Sequence, residues 1–219
     1  ASVGSVKETS NACPGEKVVL AAAVAERVKA ESNISEWTLS DTFKGSDLEG
    51  LICQHPLHEG GYSFDVPLYP GNFVSTDQGT GFVHIAPGHG ADDYELGQQF
   101  GLSASSVIDT DSIYLESIPM FSGKRVLREN GKEGDANAAI IMALKEAVGI
   151  FSLSELLHSY PHSWRSKAPV LFLSTPQWFI SMDQNDLRHK ALNAIDEVKW
   201  VPPQGRSRIY SMIENRPEW

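Results

Sequence analysis

The stretch GTGFVHIAPGHGADDYE, from Gly79 to Glu95, holds four glycines, two imidazoles and two adjacent carboxylates within 17 residues. Gly79 and Gly81 let the backbone come close to another group, because no Cβ stands in the way. His84 ends a short β-type run. Gly88 and Gly90 permit an unusual loop path, and Asp92 and Asp93 sit where a helix should start. Three chemistries suit these residues. In the plainest, Asp92 or Asp93 caps the helix and the histidines pack or face water. In the second, His84, His89 and an aspartate bind a metal, since mixed imidazole and carboxylate ligation is ordinary. A histidine spacing that crosses Pro87 and Gly88 is, however, no helical ligand pair. In the third, one carboxylate of a small-molecule pocket holds a cationic group while glycine backbone meets a polar substrate.

Other chemistries lack their motifs. There is no GxxxxGK[ST], no GxGxxG and no Gly-x-Ser-x-Gly elbow. Cys13 and Cys53 fit no zinc motif, and two thiols build no disulfide framework. A reducing cytoplasm is the expected setting. A second marked segment, YPHSWRSK followed by STPQWFI, reads as an aromatic cluster anchoring a core.

Hydropathy periodicity predicts the elements that must position these groups. Residues 1–12 are small and polar and read as a frayed end or a severed connection. Short strands are predicted at 17–20, 37–43 and 51–55, through the alternation of Tyr62, Phe64 and Val66, and at 73–76, 82–85, 106–108 and 112–115. Helices are predicted at 21–31, at 92–100 with Gly101 as its stop, and at 137–148 with Asp135 as its cap. After Tyr160 the texture changes. A strand is predicted at 169–173 and a helix at 185–198. Pro202-Pro203 breaks it before a further helix from 208 to 213. The fold class is α/β, a β-rich mixed domain for 1–159, with 160–219 as an appendage.

The 219 residues carry a net charge of −10, with 41% hydrophobic and 21% charged side chains. That is ordinary for a globular protein and argues against a nucleic-acid coat or a membrane-surface binder. No apolar run reaches the roughly 18 residues that a membrane span requires. No signal peptide is visible. Residues 160–219 hold eight Lys/Arg against six Asp/Glu, whereas 1–159 hold ten against 22. Contact with phosphate is therefore expected nearer the C-terminal segment.

The block GTGFVHIAPGHGADDYELG closely resembles the editing domain of the bacterial isoleucyl-tRNA synthetases. So do HPLHEGGYSFDVPLYPGNFVSTDQ upstream and YPHSWRSKAPVLFLSTPQWFISMDQ downstream. The final GRSRIYSMIENRPEW is similar to the stretch where that family's chain re-enters its catalytic domain. The resemblance implies a barrel-like core with flanking helices for 1–159, and a return segment for 160–219. It implies hydrolysis of Val-tRNA(Ile), and allows that of valyl-adenylate. Such a second sieve is needed because one methylene in an apolar pocket discriminates by only about 1–3 kcal/mol, a general figure for which this family is itself the standard example.

By the same resemblance, Asp93 binds the α-ammonium of the misattached amino acid. His84 lines the pocket, excludes isoleucine and helps to place the attacking water. Gly79, Thr80, Gly81, Phe82 and Val83 form the substrate-binding stretch, its glycine backbone approaching the terminal adenosine. No protein nucleophile is implied. The partners implied are the tRNA(Ile) 3′ end and the rest of the synthetase chain, with no membrane. No cofactor is implied for editing; ATP and Mg belong to a catalytic domain whose HIGH and KMSKS signatures are absent here. Some relatives hold zinc with Cys-Trp-Arg-Cys, but Ser163-Trp164-Arg165-Ser166 stands in that place, so no metal is expected. The family's threonine-rich strand, of the form WTTTPWT, is also absent, as if an editing insertion had been cut downstream of one pocket wall. Two alternatives stay open: a fragment that binds the tRNA end without turnover, and a metal-dependent hydrolase using His84, His89 and Asp93.

Overall fold

Strand β1 (Ser2–Val6) runs antiparallel to β2 (Ile34–Thr38), with Val3 opposite Trp37 and Val6 opposite Ile34. The computed structural model that shows this describes residues 1–77, 79–155 and 159–218. Gln78 and Trp219, which belong to the segments compared above, lie outside the described residues. The expectation that residues 1–12 fray is thus corrected. Val3 and Ala12 are buried against Ile34, and Val6, Trp37 and Phe151 pack around them. A single buried valine with a distant apolar partner fixes a strand that its small polar neighbours do not advertise.

The chain divides into two compact units, Ala1–Ser174 and Thr175–Trp219. In the first, a 3-10 turn (Ala22–Val24) leads into helix α1 (Ala25–Glu31), burying Val24, Ala25 and Val28 at the predicted spacing. Strand β3 (Ile52–Gln54) pairs antiparallel with β4 (Asp65–Pro67), Cys53 opposite Val66. A second core gathers Leu57, Phe121 and Ala143, with Tyr62, Tyr114 and Ile140 against it. Helix α2 (Ala91–Phe100) stops where predicted: Gly101 turns left-handed at φ 69°, and Leu102 N–H donates to Gly97 O at 2.8 Å.

Helix α3 (Ala136–Glu146) forms as expected, but Asp135 does not cap it through its side chain. Its backbone is already near-helical, at φ −103° and ψ −5°, and its carboxylate turns away. It accepts Arg125 N–H at 2.8 Å and Lys124 Nζ at 3.1 Å.

The strand predictions fare worse. Among the described residues, 17–20, 106–108, 112–115 and 169–173 give only isolated pairings, Ser2 with Lys17, Ile108 with Tyr114, Ile113 with Arg125 and His162 with Pro169. Residues 73–76 and 82–85 are irregular, and the strand predicted at 37–43 ends at Thr38. Side chains take over the backbone donors that a ladder would use. Asp109 Oδ1, for example, accepts both Asp111 N–H and Ile113 N–H at 2.9 Å. The fold is mixed α/β, with two two-stranded sheets and no closed barrel among the described residues.

In the second unit a 3-10 turn (Gln184–Asp186) precedes α4 (Leu187–Glu197), which packs on α5 (Gln204–Glu214). Arg188 of α4 reaches the end of α5, donating to Ile213 O at 2.7 Å and Glu214 O at 3.3 Å, and also to Arg216 O. Its Nε donates to Asp183 Oδ1 at 3.0 Å. The guanidinium satisfies carbonyls that a helix end leaves without partners.

Candidate functional site

The glycine turn rests on α1 and the 3-10 turn before it. Gly79 and Gly81 both adopt left-handed backbone, at φ 67° and 86°. Ala21 N–H donates to Thr80 O at 2.8 Å. A Cβ on Gly81 would lie 2.6 Å from the Ala21 methyl, so only glycine fits there. Arg27 of α1 sends Nη1 to Asp77 O at 2.5 Å and Nη2 to Gly79 O at 3.1 Å. Gly79, Thr80, Phe82, Val83 and His84 are exposed on this turn and its continuation.

After the turn, His89 N–H closes on Ala86 O at 2.8 Å, and Gly90 then starts α2. Asp93 occupies the third position of the helix. A carboxylate there commonly reaches back to the cap residue's own N–H. Here Asp93 Oδ2 reaches further, accepting Ala86 N–H at 3.0 Å. It passes close over Gly90, where a Cβ would stand 2.9 Å from that oxygen. Asp93 is half-buried, whereas Asp92 is exposed. The two adjacent carboxylates are therefore not equivalent.

His89 fastens the loop from outside. Its Nε2 accepts Val107 N–H at 3.3 Å, which leaves the ring proton on Nδ1, donated to Phe172 O at 3.0 Å. Gly88 O accepts Ser174 N–H at 2.9 Å, and a Cβ on Gly88 would meet Ser105 O at 2.5 Å. With both ring nitrogens engaged, His89 is a structural pin. Among the described residues no three His, Cys, Asp or Glu side chains gather as a metal cluster, so the set His84, His89 and Asp93 is not assembled.

His84 is not bonded to Asp93; its electrostatic influence falls on His55, a residue the sequence did not single out. His55 stacks on Tyr62 with ring centroids 4.8 Å apart and lies tilted against Phe64 at 5.5 Å. Its Nδ1 accepts Leu57 N–H at 3.0 Å. Burial, and then the neighbouring His84, hold the His55 imidazole below its ordinary value. Burial likewise raises the Tyr62 hydroxyl, helped by Tyr114. The only sequence signal for this cluster was the alternation of aromatic residues after His55.

Ser163 and Ser166 close their own turn. Ser163 Oγ accepts Ser166 N–H at 3.3 Å, and Lys167 N–H donates to Ser163 O at 2.9 Å. In the second unit, Phe179, Met212 and Pro217 line an open cleft of about 500 Å³. It contains none of the predicted site residues.

Known proteins share this sequence closely. An isoleucine–tRNA ligase from Pelagibacter ubique is 45% identical over 203 residues, covering 93% of this chain and 22% of that protein. Ligases of the same name from Bradyrhizobium diazoefficiens and Gluconobacter oxydans are each 40% identical, covering 94% and 99% of this chain and 23% of each protein. The chain thus spans about a fifth of the length of these relatives. Residues 8–219 match the family model for tRNA synthetases class I (I, L, M and V), and the chain belongs to that family.

Proposed function

We propose that this chain is the editing part of an isoleucyl-tRNA synthetase, hydrolysing the ester that joins a misattached valine to tRNA(Ile). The observation that carries the reading is the 45% identity to an isoleucine–tRNA ligase, together with the intact stretch from Gly79 to Glu95. In this reading residues 1–159 are the editing domain, related to barrel-like cores, and 160–219 lead back towards the catalytic domain. ATP and Mg serve that other domain, and editing needs neither. The setting is the cytoplasm, where translation runs.

Water attacks the ester carbonyl carbon. The bond to the ribose oxygen breaks, that oxygen takes up a proton, and valine leaves. Asp93 binds the substrate ammonium. Its carboxylate has about four lone-pair sites, so accepting Ala86 N–H leaves capacity for a cation. The bond to Ala86 also holds it still, which favours binding through preorganisation. His84 forms the wall that rejects isoleucine. The turn at Gly79–Gly81, with Phe82 and Val83, receives the terminal adenosine.

The test is deacylation of Val-tRNA(Ile) by the longer synthetase. Asp93→Ala should abolish it, and Asp92→Ala should leave it. The reverse pattern would put the functional carboxylate at Asp92. If neither change matters, the editing reading fails.

A further inference from the structure

All three guanidinium nitrogens of Arg27 face acceptors. Nη1 donates to Asp77 O, Nη2 donates to Gly79 O at 3.1 Å, and Nε lies 4.0 Å from Glu31 Oε1. The two carbonyls flank the entry to the glycine turn, 50 and 52 residues from Arg27 in sequence. A planar fork can hold two such acceptors at once, whereas an ammonium is a single point donor. Arg27 itself stands on a fixed base, because Val24, Ala25 and Val28 of the same segment are buried. Ala21, at the start of that segment, takes the third carbonyl, Thr80 O, at 2.8 Å.

The turn needs such a clamp. Gly79 is left-handed with open space where its Cβ would be, so nothing in its own packing restricts it. Glycine has the most backbone freedom to lose. With Asp77 O, Gly79 O and Thr80 O all bound by the α1 segment, the exposed Thr80, Phe82 and Val83 remain for a ligand.

We propose that Arg27 is a positioning residue: its guanidinium presets the Gly79–Gly81 turn for the adenosine end of an aminoacyl-nucleoside ligand. The proposal rests on the editing reading above, which supplies the ligand class. Arg27 touches no substrate and acts through the turn.

The experiment uses this chain, its Arg27→Ala and Arg27→Lys variants, and Glu31→Gln as a control. The probe is valyl-adenosine with an amide in place of the ester, which cannot be hydrolysed. Backbone amide exchange at Ala21 and Phe82, which donate to Thr80 O and Thr80 Oγ1, reports the turn, and calorimetry reports affinity. Arg27→Ala should speed exchange at these two amides and weaken probe binding about tenfold, the order of effect that releasing an ordered glycine segment gives. Arg27→Lys should recover only part of the loss. Millimolar guanidinium should restore affinity to Arg27→Ala, which a merely misfolded variant would not show. Glu31→Gln should leave both readouts unchanged, since an exposed helical ion pair is weak.

Unchanged exchange in Arg27→Ala overturns the clamp. Faster exchange with unchanged affinity overturns the positioning role. Full recovery by Arg27→Lys overturns the argument from the fork. If the unsubstituted chain does not bind the probe, the role of Arg27 in binding falls, while the exchange measurement still decides whether Arg27 holds the turn and deacylation by the longer synthetase decides the editing reading separately.

Discussion

Asp93 Oδ2 accepts the Ala86 backbone N–H at 3.0 Å, seven residues back along the chain. One carboxylate thus ties the head of α2 to the loop that follows His84. Its charge and its structural bond can be separated by substitution. Asp93→Asn keeps an acceptor oxygen for Ala86 and removes the charge. Asp93→Ala removes both. Both should abolish deacylation of Val-tRNA(Ile). Only Asp93→Ala should also lower stability, by about 1.5–3 kcal/mol, the range for a hydrogen bond to a charged group. Thermal unfolding and deacylation rates of the two variants check this. Equal stability of the two variants would show that the bond to Ala86 contributes nothing.

His55 should titrate below its ordinary 6.5, because burial and then His84 disfavour its charged form. His84→Ala should move the His55 titration upward, and proton NMR of the imidazole follows it directly. The folded value is depressed, so the unfolded chain binds more protons. The His55 contribution is present above the unfolded value of 6.5 and declines as the pH falls towards the folded one. No movement on His84→Ala would mean that the two rings do not sense each other in solution.

Asp135 should contribute to acid sensitivity. Its carboxyl lies below the ordinary 3.8 because Arg125 N–H and then Lys124 donate to its charged form. Stability from this source is present above the unfolded value and is lost as the pH falls through the folded one. The stability gap between the unsubstituted chain and Asp135→Asn should therefore close in acid, below about pH 4. Denaturant unfolding at a series of pH values measures the gap.

Arg188→Ala should destabilise the pair α4 and α5 by about 1–3 kcal/mol, because α5's terminal carbonyls lose a charged donor. Arg188→Lys should rescue only in part, since one ammonium cannot replace the fork. Hydrogen exchange in α5 gives the readout.

The 219-residue chain should deacylate Val-tRNA(Ile) about 100- to 1000-fold more slowly than a full synthetase. That is the usual cost of losing preorganised donors near a reacting ester, which the editing reading assigns to a threonine-rich strand outside these 219 residues. Single-turnover rates of the two proteins test it. Equal rates would show that Gly79–Asp93 supplies the whole catalytic site.

The family and the helices are written in the amino-acid sequence. Val24 just before α1, Val28 on it, and Gly101 at the stop of α2 encode their helices within a few residues, because helical hydrogen bonds and caps are short-range. The block from Gly79 to Glu95 was legible for the same reason, as contiguous residue types. The other features depend on partners far along the chain. β1 exists because Val3 meets Ile34. His89 is a pin because Val107 and Phe172 lie 18 and 83 residues away. Asp135 serves Lys124 and Arg125 and not its own helix, and Arg27 clamps Asp77 and Gly79. Periodicity records which face of a segment is apolar. It does not record which distant donor or acceptor the fold brings to a side chain, and that pairing sets what His89, Asp93 and Arg27 can do.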